Sequence, residues 1–482
     1  MESNIGKVPT KLFLGGSWRD ASDGATFDVE NPATGEIIAK VASATVADGR
    51  AALDAAEAAG PAWAAAKPRE RGEMLRRAYE LIMARKEEFA RIITLENGKA
   101  LPDSRAEIAY AAEFFRWSSE EAVRAIGDLY RGPSSGAHVL VGYKPAGIAV
   151  LITPWNFPAA MATRKLGPAL AAGCTAILKP ASVTPLTMLA LMPVLEEAGL
   201  PKGVVSVLPS AKTGALVDSL LHDDRVRVLS FTGSTEVGRK LLKQAADKIL
   251  VPAMELGGNA PFVVFEDADV DAAVSGAIIA KMRNIGEACT AANRFYVHDR
   301  VHDSFANKLA DRMGAMKIGN GLEEGVEVGS LVNAETRDKV VELVEDAVKR
   351  GAKVLTGGSI RNGPGYFYQP TVLVDVPEDA RCFHEEIFGP VAAIARFTGE
   401  DDVLKRCNAT EYGLVAYVFT GDLKRGLAFS EKLDFGMVGL NRGLVSDPAA
   451  PFGGMKQSGI GREGGHHGIL EYLETQYISV EW

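Results

Sequence analysis

A cysteine flanked by small residues is the first candidate for chemistry in this chain. Cys289 lies in Gly286-Glu-Ala-Cys-Thr-Ala-Ala292, where small neighbours leave its sulfur within reach of a carbonyl carbon. A thiolate is a strong nucleophile, so this segment predicts covalent catalysis. Taken alone, a cysteine is more often a small buried hydrophobic residue, and the hypothesis therefore needs partners elsewhere in the sequence.

Two polar residues upstream supply such partners. Glu255 precedes the cysteine by thirty-four positions in the otherwise apolar, Gly-rich run Pro252-Ala-Met-Glu-Leu-Gly-Gly-Asn259, and Asn156 stands between two prolines. A carboxylate in an apolar setting serves as a general base, and a side-chain amide donates to an oxyanion. Each residue has a simpler interpretation. Glu255 could cap a helix or form a salt bridge, which the Glu-Leu-Gly-Gly run does not favour, and Asn156 could simply form a turn between the two prolines. Together the three residues favour acyl chemistry at a carbonyl group.

The segments that carry these residues alternate between strand and helix patterns. Short strands and turns over 12–40 precede helical, Ala-rich periodicity from about 45 to 131, and the apolar run 146–152 is typical of a buried parallel strand. The alternation continues with predicted strands at 175–179, 204–208 and 226–231 and predicted helices at 159–172, 185–198, 212–221 and 235–246. This order predicts a doubly wound α/β domain, and a second α/β pattern follows Gly257.

The turn after the predicted strand 226–231 is the best candidate for binding a pyrophosphate. In Phe231-Thr-Gly-Ser-Thr-Glu-Val-Gly238 a strand end, a glycine and a helix start follow one another. Backbone N–H groups and the helix dipole favour a phosphate at such a turn. An ordinary strand-to-helix turn with a Ser N-cap explains the same residues, so the turn alone does not decide between the two interpretations.

The patterns also suggest how the chain divides. The predicted units are a first α/β domain over 1–125 and 146–256, a second over 257–455, and an arm with a C-terminal strand over 126–145 and 456–482. Residues 129–141 predict a hairpin or extended arm, and 476–482 alternate in character as a strand does. Because neither domain offers this last strand an obvious neighbour, we expect a partner subunit to accept it.

Bulk composition limits the class of protein. With 482 residues the chain is too long for one compact core, and 47% hydrophobic and 24% charged residues are ordinary for a globular protein. A net charge of −9 argues against nucleic acid as a partner, and no apolar run approaches the ~20 residues of a membrane helix. Residues 1–7 show no secretory signal and the four cysteines fit a reducing compartment, so we expect a cytoplasmic protein without a metal site.

Seven ordered motifs resemble the NAD(P)-dependent aldehyde dehydrogenase superfamily. They are TPWNFP at 153–158, KPAS at 179–182, FTGS at 231–234, ELGG at 255–258, the cysteine segment, EEIFGP at 385–390 and PFGG at 451–454. The resemblance runs from about Phe13 to the C-terminus, and agreement at so many ordered points excludes chance. It implies the aldehyde dehydrogenase fold: a Rossmann-like cofactor domain, an α/β catalytic domain and a small β oligomerisation arm, in a homodimer or homotetramer.

The resemblance implies roles for the three chemical residues. Cys289 adds to the aldehyde to form a thiohemiacetal, and the Asn156 side chain with the Cys289 backbone N–H stabilises the oxyanion. After hydride transfer to the cofactor, a water activated by Glu255 hydrolyses the thioester. Superfamily members that transfer the acyl group to coenzyme A generally lack a carboxylate at this last position, so water is the expected acceptor.

The cofactor site follows from the same resemblance. Positions that line the adenosine and pyrophosphate in relatives are matched by Ile152, Thr153, Trp155, Lys179, Gly233 and Ser234. Positions that hold the nicotinamide ribose and ring are matched by Glu386 and Phe388. NAD-preferring relatives commonly carry Glu where Ser182 stands. A carboxylate repels a 2′-phosphate, whereas Ser182 donates to it and Lys179 neutralises it, so NADP is the favoured cofactor and NAD the alternative.

Within the superfamily, the closest resemblance is to the succinate-semialdehyde dehydrogenase subfamily. Arg164, Arg283 and Ser446 match positions that bind the substrate's distal carboxylate there, and two guanidinium groups with a hydroxyl suit an anion. We expect the two arginines to converge on one end of the aldehyde channel; the simpler interpretation is that they are helix-surface charges. Glutarate semialdehyde or a wider range of aldehydes is the alternative substrate. A non-catalytic nucleotide-binding relative is the alternative class, which the joint presence of nucleophile, base and amide disfavours.

Two positions depart from the pattern of the relatives. Glu287 stands where many of them carry Gln, so an extra carboxylate is expected near the substrate anion. Some relatives carry a second cysteine two residues after the nucleophile, which forms a redox-switch disulfide. Ala291 occupies that place, so no such switch is expected.

Overall fold

The computed structural model describes residues 8–482, and two large β-sheets covered by helices dominate it. Residues 1–7, over which the sequence predicts no secretory signal, lie outside the described residues. Within 8–482, no helix has both the length and the apolarity needed to cross a bilayer.

The strands and helices follow one another closely along the chain. The strands are β1 (Leu12–Leu14), β2 (Ser17–Arg19), β3 (Thr26–Asn31), β4 (Glu36–Ala42), β5 (Asp128–Arg131), β6 (His138–Pro145), β7 (Ile148–Ile152), β8 (Thr175–Lys179), β9 (Val205–Val207), β10 (Val226–Thr232), β11 (Val251–Glu255), β12 (Ala260–Val264), β13 (Ala292–His298), β14 (Lys353–Thr356), β15 (Thr371–Val374), β16 (Val391–Phe397), β17 (Tyr412–Gly413), β18 (Val415–Phe419), β19 (Met437–Leu440), β20 (Met455–Lys456), β21 (Gly459–Ile460) and β22 (Leu473–Val480). The α-helices are α1 (Val46–Ala65), α2 (Pro68–Ala84), α3 (Lys86–Asn97), α4 (Leu101–Glu121), α5 (Ala160–Ala172), α6 (Leu186–Ala198), α7 (Thr213–Leu221), α8 (Thr235–Ala246), α9 (Val270–Met282), α10 (Asp299–Gly314), α11 (Ala334–Lys349), α12 (Glu400–Asn408), α13 (Leu423–Glu431) and α14 (His467–Leu470). Two 3-10 turns cover Arg283–Gly286 and Arg381–Phe383.

The first sheet has eight strands in the order β2-β1-β9-β8-β7-β10-β11-β21. Its central strands run parallel from β9 to β11, and β7 and β8 are buried at every position. Continuous apolar strands of this kind form where helices cover both faces of a sheet, and α5 is likewise buried along its whole length. The predicted doubly wound pattern is therefore the observed one, with the carboxyl ends of β7, β8, β10 and β11 at one edge.

The second sheet has seven strands in the order β14-β15-β16-β13-β12-β18-β19, and all pairs except β14–β15 are parallel. Aromatic rings fill its interior: Phe262 lies 5.0 Å from Phe295 and 4.9 Å from Phe419 between ring centroids. Only the four residues 256–259 connect β11 of the first sheet to β12 of the second. This short connection holds the edges of the two sheets next to each other.

The C-terminal strand corrects one expectation. Strand β22 pairs antiparallel with β6 of its own chain over eight residues, from Leu473 opposite Pro145 to Val480 opposite His138. Together with β5 they form a three-stranded sheet. The expectation that a partner subunit accepts this strand was therefore wrong, because the predicted hairpin at 129–141 supplies the neighbour.

Two elements differ from the sequence prediction. The predicted helical segment 71–96 is two helices, α2 and α3, which are separated at Arg85, where no Gly or Pro marks the break. The Gly-rich run around Glu255 contains a five-residue strand, β11, whose last residue is the glutamate itself. This strand forms because β10 and β21 pair with it on both sides. Such pairing depends on distant segments, so local propensity does not predict it.

Candidate active site

The predicted nucleophile and base lie where the two large sheets meet. Glu255 is the last residue of β11, at the carboxyl edge of the first sheet, opposite Thr232 of β10. Cys289 precedes β13, and a Cβ built on Gly258, in the connection to β12, would collide with the Cys289 carbonyl. Ligands of open α/β sheets bind at such a carboxyl edge. The fold thus brings together two residues that are thirty-four positions apart in sequence.

The segment just before the cysteine has an unusual backbone. Asn284 and Ile285 have φ of 53° and 59°, and Gly286 follows with φ of 80°. Such left-handed conformations are costly for a β-branched residue and persist where the surroundings hold them in place. The Asn284 N–H donates to Asp103 on α4 at 3.0 Å, and its side-chain amide donates to the carbonyls of Asn156 and Glu287 at 2.9 and 2.8 Å. These bonds fix the path by which the chain approaches Cys289.

A cavity of about 760 Å³ opens over the cysteine. Seven of the predicted site residues line it: Trp155, Asn156, Gly233, Ser234, Cys289, Glu386 and Phe388. The predicted nucleophile and amide donor thus share one space with the residues expected to hold the nicotinamide end of the cofactor. The sequence predicts a helix over 334–350, which is observed as α11, but not that this helix lines the cavity, to which it contributes Asp338, Lys339 and Glu342.

The Cys289 thiol is protonated at rest. Burial raises its pKa to about 12, and the negative charges of Glu386 and Glu255 act in the same direction, while Arg164 and Arg283 oppose them. A thiol of this kind does not ionise spontaneously at neutral pH. It therefore needs a base that takes its proton as it attacks.

Glu255 has the burial and charge environment expected of such a base, although its side chain does not line the cavity over Cys289. Its side chain is 3% exposed, and neither carboxyl oxygen has a hydrogen-bond partner among residues 8–482. Burial, together with the charge of Glu463, raises the pKa of Glu255 well above its ordinary value, although Arg164 and Lys165 lower it. A free carboxylate with a raised pKa accepts a proton readily near neutral pH.

Asn156 is oriented by the main chain next to the nucleophile. Its side-chain nitrogen donates to the main-chain carbonyl of Glu287 at 3.0 Å. The main-chain carbonyl of Asn156 accepts from the Lys99 ammonium at 2.7 Å and from the Asn284 side-chain amide at 2.9 Å. An amide nitrogen carries two hydrogens, so one is left for an oxyanion in the cavity. The geometry is that of a preset donor.

The residues predicted to bind the adenosine half of the cofactor lie along the edge of the first sheet. Ile152 and Lys179 end neighbouring strands and pair in register, and the Thr153 N–H donates to the Lys179 carbonyl at 3.2 Å. Gly233 and Ser234 follow β10, and Ser234 caps α8 by accepting from Val237 at 3.4 Å. The N-terminus of α8 thus borders the cavity with the geometry expected of a pyrophosphate turn.

Lys179 and Ser182 are the residues predicted to face the 2′-position of the cofactor's ribose. Burial alone lowers the pKa of Lys179 to about 8, and no carboxylate forms an ion pair with it in residues 8–482. A buried ammonium without a counter-ion fits a phosphate group. Ser182 lies three residues further on, half-buried in the loop after β8.

Glu386 and Phe388 also line the cavity over Cys289. The Gly258 N–H donates to Glu386 at 3.3 Å, and burial raises the pKa of this carboxyl to about 7. Phe388 meets Trp155 edge to face, with 5.4 Å between ring centroids. A polar group beside two aromatic rings suits a ribose and a planar ring.

A second cavity, of about 430 Å³, adjoins the first across the segment Asn156-Phe157. Arg283 and Ser446 both line it, and the Arg283 guanidinium lies 4.8 Å from the Phe157 ring centroid. Within residues 8–482 this guanidinium forms no ion pair. Three carboxylates line the same cavity and each already has a donor: Asp103 accepts from the Asn284 N–H, Glu107 from the Lys99 ammonium and Glu327 from the Lys317 N–H.

Arg164 is placed differently from Arg283. It lies on the fully buried helix α5, is 2% exposed and lines neither of these two cavities. Its guanidinium lies 4.1 Å from the Phe452 ring centroid and 3.5 Å from Glu463. Both guanidinium carbons lie near the Tyr110 ring, at 5.6 and 5.8 Å from its centroid, but only Arg283 lines the second cavity. Neither is a helix-surface charge.

Sequence reasoning missed the buried charges behind Glu255. Lys165 donates to Glu463 at 2.6 Å and to Ser230 at 2.9 Å. A signal was present: Arg164 and Lys165 are two successive charges in an otherwise apolar helix, and buried charges require partners. The partner, 298 positions away, was not identifiable from local sequence.

The two departures from the relatives have defined positions. The Glu287 carboxyl is buried, accepts from the Val332 N–H at 3.0 Å and lines neither cavity, so the expectation that it lies near the substrate anion is not met. Burial raises the pKa of Glu287 well above its ordinary value, which favours the neutral form of the carboxyl. Ala291 is buried near the nucleophile, and all four cysteines are free thiols.

Comparison with known proteins decides the family. The model of the "Aldehyde dehydrogenase family" matches residues 18–478. The chain belongs to the aldehyde dehydrogenase family. The predicted fold class and enzyme class are therefore confirmed.

Individual relatives of this aldehyde dehydrogenase cover nearly its full length. It is 54% identical to a succinate-semialdehyde dehydrogenase of Paenarthrobacter nicotinovorans, over 92% of this chain and 99% of the relative. It is 50% identical to a glutarate-semialdehyde dehydrogenase of Pseudomonas putida, over 98% and 97% of the two chains. Among solved structures, an NADP dependent enzyme of E. coli superimposes with a TM-score of 0.97 at 46% identity, over 100% and 99% of the chains.

Proposed function

We propose that this aldehyde dehydrogenase oxidises succinate semialdehyde to succinate, with NADP as the preferred hydride acceptor and water as the acyl acceptor. The observation that carries the proposal is the Arg283 guanidinium, which forms no ion pair within residues 8–482 and shares a cavity with Ser446 next to the cavity of Cys289. A cationic fork beside a hydroxyl binds a carboxylate at the end of the substrate remote from the aldehyde. A relative that carries the name of this activity supports the proposal.

The first step is attack of the Cys289 sulfur on the aldehyde carbon. Because the resting thiol is protonated, its proton passes to the Glu255 carboxylate as the carbon–sulfur bond forms. The carbonyl oxygen becomes an oxyanion, which accepts from the free hydrogen of the Asn156 amide and from the Cys289 backbone N–H. One such donor typically lowers the barrier by ~3 kcal/mol.

The bound NADP supplies the acceptor for the hydride that leaves the thiohemiacetal carbon. Within the protein, Trp155 and Phe388 hold the first cavity open for a planar ring, and the product of this step is a thioester on Cys289. Glu255 first releases the thiol proton to solvent. Water then attacks the thioester while the Glu255 carboxylate takes one of its protons, and the leaving Cys289 sulfur takes up that proton as succinate is released. The free Glu255 oxygens suit this second use as well.

The preference for NADP rests on the charge around the ribose. Lys179 is a buried cation without a counter-ion among residues 8–482, and the residue three positions on is Ser182 rather than a carboxylate. Both favour a 2′-phosphate, and a structural relative described as NADP dependent carries the same fold. NAD, which lacks that phosphate, is the weaker partner.

Glutarate semialdehyde is the second candidate substrate. It differs from succinate semialdehyde by one methylene, which a hydrophobic cavity discriminates by only ~1–3 kcal/mol. A relative named glutarate-semialdehyde dehydrogenase is 50% identical to this chain, so glutarate semialdehyde is included in the substrate test. Both acids use the same anion site.

We also propose that the protein acts in the cytoplasm as a homodimer or homotetramer. The three-stranded sheet exposes large apolar side chains, among them Leu129 at 65% and Tyr477 at 68%. Apolar residues grouped on one small sheet favour a protein partner, and a second copy supplies the same surface. Sedimentation velocity over a range of concentrations tests this assembly.

The experiment for the substrate compares wild-type enzyme on four aldehydes: succinate semialdehyde, glutarate semialdehyde, butanal and pentanal. Each neutral aldehyde matches the chain length of one acid, so the ratio of kcat/KM within a pair isolates the carboxylate. We expect a ratio of at least about 10 for the four-carbon pair, and a fall towards one in Arg283→Met. A wild-type ratio near one would contradict the proposal and favour a broad-specificity enzyme.

A further inference from the structure

We propose that Lys99 and Glu107 are positioning residues, which hold the Asn156 amide in the direction that the oxyanion requires. The inference rests on the proposed function, because it concerns the oxyanion step of that mechanism. Lys99 lies between α3 and α4, and Glu107 lies on α4. Their side chains form a salt bridge and are both 0% exposed, so each charge depends on protein groups for its partners.

The salt bridge binds both ends of the segment 156–159. The Lys99 ammonium donates to the main-chain carbonyl of Asn156 at 2.7 Å. The Glu107 carboxylate accepts from the main-chain N–H of Ala159 at 2.9 Å. Rotation of the main chain within this segment would break one of the two bonds. The backbone from which the Asn156 side chain extends is therefore fixed by one buried ion pair.

Helix α5 takes its N-terminal cap from another helix. It begins at Ala160, and the side chain at its N-cap position, Ala159, accepts no hydrogen bond. The Glu107 carboxylate accepts from both of these N–H groups instead, at 2.9 and 3.4 Å. A negative charge at a helix N-terminus also matches the helix dipole. The start of α5, four residues after Asn156, is thereby held against α4.

Two donors meet at the main-chain carbonyl of Asn156. Lys99 approaches it from the loop before α4, and the Asn284 side-chain amide approaches it from the turn before Cys289, at 2.9 Å. The Asn156 side chain itself donates one hydrogen to the Glu287 carbonyl at 3.0 Å. With the main chain and one hydrogen fixed, the second hydrogen of the amide has a defined direction. An oxyanion donor needs such a preset direction.

Stability alone does not explain this ion pair. A buried ion pair adds little net stability over apolar side chains of the same volume, because both charges lose their hydration. Lys99 lines neither the cavity over Cys289 nor the second cavity, so it does not meet the substrate there. Both partners nevertheless bind the main chain beside Asn156. Orientation of that residue is the function that these contacts support.

The first test removes both charges together. Lys99→Met with Glu107→Gln leaves no unpaired buried charge, and the glutamine oxygen still accepts from the Ala159 N–H. We expect the rate of reduced-cofactor formation in the first turnover to fall about 10- to 100-fold, since a misplaced catalytic group costs that much. The fall should be equal for succinate semialdehyde and butanal, because both form the same oxyanion.

Separate measurements report folding and cofactor binding in the same variant. Melting temperature and NADP affinity should stay close to the wild-type values, because the ion pair contacts neither the strands of the first sheet nor the predicted cofactor residues. An unchanged first-turnover rate would overturn the inference. A fall confined to succinate semialdehyde would also overturn it, because Glu107 would then act in the second cavity, which it lines.

The matched control is another buried cation that binds the main chain away from the site. In wild type, Arg71 donates to the Ala171 carbonyl at 2.9 Å, is 7% exposed and lines neither cavity. Arg71→Met should keep the first-turnover rate within about twofold of wild type. A loss as large as that of the ion-pair variant would assign the effect to general packing and contradict the positioning role.

The second test asks whether the ion pair acts through Asn156. Adding Lys99→Met and Glu107→Gln to Asn156→Ala should lower the first-turnover rate by less than about twofold more, because the group that they position is already gone. Full additivity of the two losses would show that the ion pair affects the rate by another route, and the inference would fail.

The inference and the proposed function fail in different ways. If Asn156→Ala keeps the wild-type first-turnover rate, the oxyanion step of the proposed function fails, and the positioning role fails with it. If Asn156→Ala is slow and the ion-pair variant keeps the wild-type rate, only the inference about Lys99 and Glu107 is overturned.

Discussion

The side-chain nitrogen of Asn156 donates to the main-chain carbonyl of Glu287 at 3.0 Å, two residues before the catalytic cysteine. This bond joins the segment after β7 to the strained turn before β13. It aims one hydrogen of the amide and leaves the other for the oxyanion. The oxyanion donor and the nucleophile are therefore positioned by the same segment.

Asn156→Ala should lower kcat strongly. The variant loses the preset donor to the oxyanion, which is typically worth about 10²- to 10³-fold in kcat. Stopped-flow absorbance of the reduced cofactor measures the hydride-transfer step directly. Asn97→Ala is the matched control, since its amide donates to the Trp155 carbonyl and it lines neither cavity. An undiminished hydride-transfer rate in Asn156→Ala would remove this residue from the oxyanion site.

Glu287→Gln should stabilise the protein increasingly as the pH rises. Burial raises the pKa of Glu287 well above its ordinary value, so the folded protein favours the neutral form. A carboxyl of this kind contributes stability that is full below its unfolded pKa of about 4.3 and is lost as the pH rises through the folded pKa. Glutamine is neutral at every pH and keeps the shape.

Melting temperatures of wild type and Glu287→Gln between about pH 5 and pH 9 check this sign. We expect the two curves to converge at the acid end and the variant to melt a few °C higher at the alkaline end. The other buried carboxyls are common to both proteins and cancel in the difference. A difference that is constant with pH would mean that Glu287 does not titrate between the folded and unfolded states.

Ser182→Glu should weaken NADP far more than NAD. The substitution puts a carboxylate near the 2′-phosphate, and a like charge that close costs ~10- to 100-fold in affinity. Ser182→Ala is the matched control, because it removes the hydroxyl without adding charge. Fluorescence titration of each variant with both cofactors measures the ratio. Equal losses for NADP and NAD would show that residue 182 does not face the ribose.

Local sequence patterns were sufficient to predict much of the fold. Strand β8 and helix α8 begin and end at the predicted residues, since apolar runs, a glycine and a serine cap mark them. Seven of the predicted site residues line the cavity over Cys289, because motifs matched to the family carry them.

What the sequence did not predict depends on contacts between distant segments. The Glu463 carboxyl meets Lys165 across 298 positions, and Tyr110 meets Arg164 across 54. No local period or motif encodes such a contact. The same holds for β22, whose pairing with β6 replaced the expected partner subunit.

Trapping the acyl-enzyme tests the covalent mechanism through Cys289 most directly. Glu255→Gln removes the base that activates water, so a thioester formed on Cys289 should persist. Because the Glu255 carboxylate also takes the thiol proton in the proposed mechanism, Glu255→Gln should form the thioester more slowly than wild type. The thioester should still accumulate, because its hydrolysis is slowed as well. Cys289→Ala combined with Glu255→Gln is the control without a nucleophile.

The measurement is peptide mass spectrometry of acid-quenched Glu255→Gln enzyme, after incubation with NADP and an equimolar mixture of succinate semialdehyde and butanal. We expect a succinyl group on the peptide that contains Cys289, at near one per subunit and in excess over butyryl. The double variant should carry no adduct. An unmodified Cys289 together with reduced cofactor would contradict the covalent mechanism. Butyryl in equal or greater amount would contradict recognition of the carboxylate.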